Sequence, residues 1–126
     1  MNNTAPKLYS YVYAGSPAPL GDDNELFDLA THLIKNPRDT MFVKVCGDSM
    51  IEAKVFDGDI LIVDRKAEPY PDSIVVAQTE DGYTVKRFER QSGRLRLVPA
   101  NSDHGPVEIT ENTRICGVAT FAIHRL

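Results

Sequence analysis

Residues 73–90 read SIVVAQTEDGYTVKRFER, and this pattern predicts a β-hairpin. The first strand, Ser73–Thr79, is rich in β-branched residues. The segment Glu80-Asp81-Gly82 is typical of a tight turn between antiparallel strands. The second strand, Tyr83–Arg90, shows the alternation from one residue to the next that is typical of a strand. We therefore expect the centre of the chain to be β-sheet.

The alternation places Lys86 on the same strand face as Thr84 and Phe88, whereas Val85 and Arg87 face the other way. A lysine between a threonine and a phenylalanine, with apolar strands beside it, is expected to be partly buried. Thr84 is expected to orient its amine. The alternative is a lysine that points into solvent, as lysines on strands usually do.

Further strands are predicted on both sides of the hairpin. Met41–Cys46 alternates, and Ile60–Val63 is continuously apolar, as in a strand covered on both faces. The segments after the hairpin are a turn at Gln91-Ser92-Gly93, a strand at Arg94–Val98, a loop at Pro99–Pro106, a short strand at Val107–Ile109 and a last strand at Arg114–His124. Many short strands separated by turns predict a mainly β fold, either a barrel or a folded sheet.

The N-terminal residues differ from this β pattern. Residues 1–24 contain prolines, glycines and an acidic pair, which predicts an arm followed by a β domain at residues 25–126. One short helix is predicted over Asp22–Asn36, because Asp22 and Glu25 resemble a capping box and a proline follows the segment.

An extended segment is predicted within the arm, at Leu8–Ala14. Its tyrosines at positions 9, 11 and 13 face one way, and Val12 and Ala14 face the other. A protease binds its substrate as an extended strand, and Gly15 would allow a nucleophile to approach the carbonyl of Ala14. The alternative is a flexible tail whose aromatic side chains pack on a partner.

The composition of the chain argues for some classes of protein and against others. The chain has 126 residues, of which 42% are hydrophobic and 25% charged, as expected for a soluble domain with one core. The net charge of −4 and the lack of a basic block argue against tight, direct DNA binding. Short apolar runs and the lack of a secretory signal predict a cytoplasmic protein without a membrane span. Cys46 and Cys116 match no metal spacing and are interpreted as small, reduced core residues.

The segment Cys46-Gly47-Asp48-Ser49-Met50 contains the candidate nucleophile. Ser49 follows a glycine at an expected strand end and has no obvious histidine base, so a neutral lysine is the candidate for that role. A lysine with a pKa near 10.4 is neutral about once in a few thousand at pH 7, which costs roughly 4–5 kcal/mol unless burial lowers the pKa. We therefore hypothesise a Ser49/Lys86 dyad that hydrolyses the Ala14–Gly15 bond. Backbone N–H groups of Ser49 and Asp48 are the candidate oxyanion donors.

Alternatives remain open for these residues. Ser49 would be an ordinary cap if a short helix begins at Met50. Ser102 is a second serine, but nothing pairs it with a base. The neighbouring acids are interpreted as turn formers and a solvated edge: Asp48, Glu52, Asp57, Asp59 and Asp64. No metal and no cofactor are predicted, since Asp57-Gly58-Asp59 lacks the spacing of a calcium loop.

These motifs together resemble the LexA/UmuD family of self-cleaving Ser/Lys peptidases. The matching segments are Gly47–Met50, Asp57–Asp64, Tyr83–Arg87, Leu97–Ser102 and Gly117-Val118. The separation of Ser49 from Lys86 is the one that the family uses. Ala14-Gly15 stands where the family's cleaved bond stands, with Val12 at its usual valine.

The resemblance implies a β peptidase domain of the LexA/signal-peptidase type that forms a homodimer. It implies self-cleavage stimulated by a RecA filament on single-stranded DNA, as part of the SOS response. The cleaved dimer would then join a UmuC-like Y-family polymerase subunit in error-prone translesion synthesis. Only 14 residues precede Gly15, which is too few for a helix-turn-helix unit and predicts no repressor activity. The alternative function is a non-catalytic β binding module that regulates a polymerase through its arm.

Overall fold

The structure is a computed structural model that describes residues 6–8, 12, 14–20 and 25–126. The chain divides into two compact units, one up to Lys35 and one from Asn36 to Leu126. Among the described residues, no helix is long and apolar enough to cross a bilayer.

The first unit contains a two-stranded sheet and one short helix. Strand β1 (Lys7–Leu8) pairs antiparallel with β2 (Glu25–Leu26), and helix α1 spans Leu29–Leu33. The predicted helix start at Asp22 is wrong, because Glu25 belongs to a strand. The cap is Asp28, whose carboxylate accepts a 2.8 Å hydrogen bond from the hydroxyl of Thr31.

The predicted extended segment at Leu8–Ala14 falls partly outside the described residues. Strand β1 ends at Leu8, and the tyrosines at positions 9, 11 and 13 are not among the residues described. Ala14, Gly15 and Ser16 lie in a bend, and Val12 is 82% exposed.

The second unit is built on one seven-stranded antiparallel sheet, so the mainly β prediction is confirmed. Its strands are β3 (Thr40–Lys44), β4 (Ile60–Asp64), β5 (Ile74–Thr79), β6 (Gly82–Gln91), β7 (Arg94–Val98), β8 (Val107–Glu108) and β9 (Arg114–Ile123). Their order in the sheet is β3-β4-β9-β5-β6-β7-β8. Two short 3₁₀ helices, Pro37–Asp39 and Ile51–Ala53, flank β3.

The central hairpin forms as the sequence predicts. Strands β5 and β6 pair from Ile74 opposite Arg87 to Thr79 opposite Gly82. The next turn, at Ser92 and Gly93, has positive φ at both residues (53° and 78°), which matches the right-handed twist of the strands it joins.

The core packs on both faces of the sheet. Val76 of β5 belongs to one buried cluster, together with Val45, Met50, Val55, Leu61, Val63 and Ala100. Val75 and Ala77 of the same strand belong to a second cluster with Leu97 and Val118. Residues 61–63 of β4 are all buried, whereas Ile60 is 38% exposed, so the prediction of a strand covered on both faces is confirmed for residues 61–63.

The interpretation of both cysteines as core residues is wrong for Cys46. Both thiols are free; Cys116 packs partly against the first cluster, but Cys46 is exposed. Val45 turns into the core, and in extended chain the next side chain points the opposite way.

Candidate active site

Ser49 lies in the loop between β3 and the second 3₁₀ helix, and hydrogen bonds and a buried side chain hold this loop in place. The N–H of Val45 donates to the carbonyl of Asp59 (2.8 Å), and the N–H of Gly47 donates to the carboxylate of Asp57 (2.7 Å). Gly47 has a φ of 101°, a conformation that residues with a Cβ rarely adopt. The next residue after Ser49, Met50, is 2% exposed and anchors the loop in the core.

One of the acidic residues near this loop, Asp59, does not lie on a solvated edge. Asp59 is 1% exposed, and its carboxylate accepts from the N–H of Phe56 (2.9 Å) and lies 2.6 Å from Nδ1 of His124. The Phe56 hydrogen bond and the contact with His124 lower the pKa of Asp59. The interpretation of Asp59 as a solvated residue is therefore wrong, but its interpretation as a turn former is confirmed, because its buried carboxylate accepts from the N–H of Phe56 within the turn from Phe56 to Asp59.

Lys86 lies in the middle of β6, opposite Val75 of β5. Its Nζ lies 3.0 Å from the hydroxyl oxygen of Ser49, 2.9 Å from that of Thr84 and 3.2 Å from the carbonyl oxygen of Val85. The structure thus brings together the two residues of the hypothesised dyad, with Thr84 beside the amine. A neutral amine in this position can donate to Thr84 and Val85 and direct its lone pair at the Ser49 hydroxyl.

The surroundings of Lys86 favour the neutral amine. Burial lowers the pKa of Lys86 below its ordinary value of 10.5, because desolvation disfavours the charged form. Three contacts between a basic and an acidic side chain occur within residues 36–126, and they involve other basic residues: Lys66, His104 and His124. Within that range no carboxylate opposes the effect of burial on Lys86.

The alternative role of Ser49 as a helix cap is wrong. The helical turn begins at Ile51, its N-cap is Met50, and no side chain hydrogen bond caps it. The hydroxyl of Ser49 instead contacts Lys86.

The candidate oxyanion donors lie in the same loop. Neither the N–H of Ser49 nor that of Asp48 donates a hydrogen bond to an acceptor within residues 36–126. The carbonyl oxygen of Asp48, in contrast, accepts from Nδ2 of Asn101 (2.9 Å) and from the N–H of Ile51 (3.3 Å).

Sequence reasoning missed Asn101 as a member of this site, and the loop that contains it supports the Ser49 loop throughout. The N–H of Glu52 donates to the carbonyl of Ala100 (2.7 Å), and the N–H of Ser102 donates to the Glu52 carboxylate (2.9 Å). Ser102 is exposed, and its hydroxyl forms no hydrogen bond with the described residues. The available signals were the polar Asn101-Ser102 pair after the predicted strand and the family resemblance of Leu97–Ser102.

Two clefts open beside the Ser49–Lys86 pair. A cavity of about 240 Å³ is lined by Gly47, Ser49, Thr84 and Val85, among others. A larger cavity of about 470 Å³ shares Thr84 with the first and is lined by Lys86, Tyr83, Val107 and Thr113, among others. Both reactive atoms are therefore next to space that a peptide could enter.

The predicted cleavage bond belongs to the first unit of the chain. Ala14 and Gly15 are both exposed, and among the described residues beyond its immediate neighbours, no atom lies within 4 Å of where a Cβ on Gly15 would be. Cleavage at this bond stays a prediction.

Comparison with known proteins agrees with this geometry. The Peptidase S24-like family matches residues 7–120, which is most of the chain. The chain belongs to the peptidase S24-like family. The resemblance to the LexA/UmuD family is thereby confirmed, and at the level of the family the chain is a serine-type self-cleaving peptidase.

The chain is also similar in sequence to individual proteins. The chain is 36% identical to Protein SamA of Salmonella typhimurium over 126 residues, which cover 99% of the chain and 89% of SamA. It is 39% identical to a LexA repressor of Clostridium perfringens over 108 residues and 36% identical to one of Clostridium botulinum over 107 residues. These matches cover 84% of the chain, but the chain spans only about half the length of the LexA repressors (52% and 53%).

Proposed function

We propose that this chain is a serine endopeptidase that hydrolyses its own Ala14–Gly15 bond, with Ser49 as nucleophile and Lys86 as general base. The observation that carries the proposal is the 3.0 Å separation of Lys86 Nζ from Ser49 Oγ, at a partly buried amine whose pKa is lowered. Proton transfer requires this hydrogen-bond distance, and the direction of the pKa shift favours the form of lysine that accepts a proton.

The proposed reaction begins at the hydroxyl of Ser49. Ser49 Oγ attacks the carbonyl carbon of Ala14 while its proton passes to Lys86 Nζ. The backbone N–H groups of Ser49 and Asp48 stabilise the negative oxygen of the tetrahedral intermediate. Its collapse breaks the bond to Gly15, whose nitrogen takes the proton from Lys86, and leaves Ala14 as an ester on Ser49. Lys86 then removes a proton from water, which hydrolyses the ester and restores the serine.

Thr84 and Val85 hold the amine for both proton transfers. Their oxygens accept hydrogen bonds from Nζ, so the lone pair of the neutral amine is left to face Ser49. Tethering supplies the scissile bond at high effective concentration, so a modestly activated serine suffices.

Mass spectrometry of the purified protein tests the proposal. We expect slow loss of residues 1–14 on incubation, and faster loss at alkaline pH. Ser49→Ala and Lys86→Ala should each abolish the product that begins at Gly15. Ser102→Ala and Lys66→Ala are matched controls, since both residues are exposed and should leave the rate unchanged. Production of the Gly15 terminus by either dyad variant would refute the dyad.

We further propose the SOS-response role that the family resemblance implies. Self-cleavage is stimulated by a RecA filament on single-stranded DNA, and the cleaved chain acts in the cytoplasm as a homodimer. The dimer is an accessory subunit of a UmuC-like Y-family polymerase in translesion synthesis. Support comes from the S24 family match and from 36% identity to SamA over nearly the whole chain.

Incubation with an activated RecA filament tests this role. Faster appearance of the Gly15 product supports it. An unchanged intact mass, in a protein that still binds a Y-family polymerase, would favour the non-catalytic binding module instead.

A further inference from the structure

The Asn101 side chain is a buried polar group that joins its own loop to the loop of Ser49 by hydrogen bonds. The residue is 5% exposed. Its Nδ2 donates to the carbonyl oxygen of Asp48 (2.9 Å), and its Oδ1 accepts from the N–H of Asp103 (3.0 Å). Its own carbonyl accepts from the N–H of His104 (3.1 Å). The oxygen and the nitrogen of the amide are therefore both held, and the amide cannot rotate away from Asp48 without losing these partly buried hydrogen bonds.

Fixing the Asp48 carbonyl also fixes the N–H of Ser49. The two groups belong to one peptide unit, which is planar, and no cis peptide bond occurs among the described residues. In a trans peptide the C=O and N–H bonds point in opposite directions. The Ser49 N–H therefore points away from Asn101, and it meets no acceptor within residues 36–126.

We propose that Asn101 is a positioning residue for the oxyanion hole: it holds the Asp48–Ser49 peptide so that the Ser49 N–H faces the developing negative charge. This inference rests on the proposed self-cleavage. Within residues 36–126, Asn101 forms a hydrogen bond with neither reacting atom: Ser49 Oγ pairs with Lys86 Nζ, whose other partners are Thr84 and Val85. Its effect is exerted through the peptide plane alone.

Other restraints on this peptide are weaker. The second donor to the Asp48 carbonyl, the N–H of Ile51, is at 3.3 Å, near the long limit of a hydrogen bond. The Asp48 side chain is exposed, and its contact with His104 (3.0 Å) is on the protein surface. Removal of the Asn101 amide would therefore leave the carbonyl with one long hydrogen bond.

The experiment compares self-cleavage rates across alkaline pH for the full chain and its variants. Asn101→Ala should lower the plateau rate about 10- to 100-fold, somewhat less than the loss of an oxyanion donor outright. The midpoint of its pH–rate profile should not move, because Lys86 keeps all three of its partners. Glu52→Ala is the matched control: it removes a hydrogen bond between the same two loops but leaves the Asp48 carbonyl untouched. We expect its rate to stay within about threefold of the unchanged protein.

Asn101→Asp is the second variant and decides the matter if Asn101→Ala does not fold. It has the same shape and keeps the acceptor for Asp103, but it places an oxygen where the Asp48 carbonyl needs a donor, so its plateau rate should fall as well. A plateau rate equal to that of the unchanged protein in a folded variant overturns the inference and leaves the dyad standing. An equal loss in Glu52→Ala also overturns it, since loop attachment would then explain the effect. Absence of cleavage by the unchanged protein overturns both the inference and the proposed function.

Discussion

The two halves of the candidate dyad are built in different ways. Lys86 lies on a regular strand, and its position is set by the continuous pairing of β6 with β5. Ser49 lies in an irregular loop whose shape depends on two hydrogen bonds, one accepted by the carboxylate of Asp57 and one donated by Asn101, which are 8 and 52 residues further along the chain. Local pattern therefore determines the position of the base, whereas distant contacts determine that of the nucleophile.

The largest expected effect tests the base. Lys86→Arg keeps a positive charge on the strand but removes the ability to become neutral, because arginine stays protonated in proteins. We expect self-cleavage to fall roughly 100- to 10,000-fold, the range for loss of a general base. The rate is measured by mass spectrometry with Lys66→Arg as control, because Lys66 is an exposed lysine. Cleavage within about tenfold of the unchanged protein would mean that Lys86 acts as a cation and not as a base.

The second-largest expected effect tests whether the conformation of Gly47 holds the Ser49 loop in place. Gly47→Ala places a Cβ on a residue with a φ of 101°, although no atom lies within 4 Å of the added carbon. Any change therefore reports backbone strain alone, which we expect to cost about 1–3 kcal/mol of unfolding free energy or to be relieved by moving Ser49. Self-cleavage should slow by roughly tenfold or more.

Gly105→Ala is the matched control for this variant, since Gly105 also has open space around it but no positive φ. Equal stability and equal rates for the two variants, measured by thermal unfolding and mass spectrometry, would show that the conformation of Gly47 does not hold Ser49 in place.

A smaller effect is expected for one hydrogen bond of the same loop. Asp57→Ala removes the acceptor for the N–H of Gly47 (2.7 Å), which is exposed to solvent, so water can replace part of the interaction. We expect a loss of about 1 kcal/mol or less and a rate reduced by a few fold. Glu68→Ala, at another exposed acid, should change neither. A rate loss as large as that of Gly47→Ala would show that the carboxylate, and not the glycine, sets the loop.

The smallest expected effect is on the free energy of unfolding, and it arises from the proposed base, Lys86. The folded protein holds the pKa of Lys86 below 10.5, so it binds fewer protons than the unfolded chain between the lowered pKa and 10.5. The cost of burying the charge is fully present below the lowered pKa and is relieved as the pH rises through this window. Unfolding free energy should therefore rise with pH there relative to Lys86→Met, as measured by urea titration. A difference that does not change with pH would contradict the lowered pKa.

The elements that the sequence predicts well are those with a local pattern. Alternation and the Glu80-Asp81-Gly82 turn placed Lys86 beside Thr84, and continuous apolarity identified β4 as a strand covered on both faces. These patterns reflect contacts that repeat every second residue, so a short window of sequence is sufficient to detect them.

The sequence predicts poorly those elements that depend on competition between nearby residues for one role, or on contacts between residues far apart in the chain. The sequence predicts a helix that starts at Asp22 with Glu25 three residues further on, but Glu25 belongs to a strand, and Asp28 caps the helix because its carboxylate accepts hydrogen bonds from Thr31. The role of Asn101 depends on a hydrogen bond to a carbonyl 53 residues earlier in the chain. No periodicity in a single sequence reports such a contact.

The central claim is that Lys86 is the proton acceptor for Ser49, and a titration of its side chain by nitrogen-15 NMR tests it most directly. The measurement uses Ser49→Ala, which stays uncleaved, and compares the midpoint with that of the self-cleavage rate of the unchanged protein. We predict that Lys86 titrates below 10.5 and that its midpoint and the midpoint of the rate agree. A Lys86 amine that titrates at or above 10.5, or a rate whose midpoint is unrelated to it, would contradict the account.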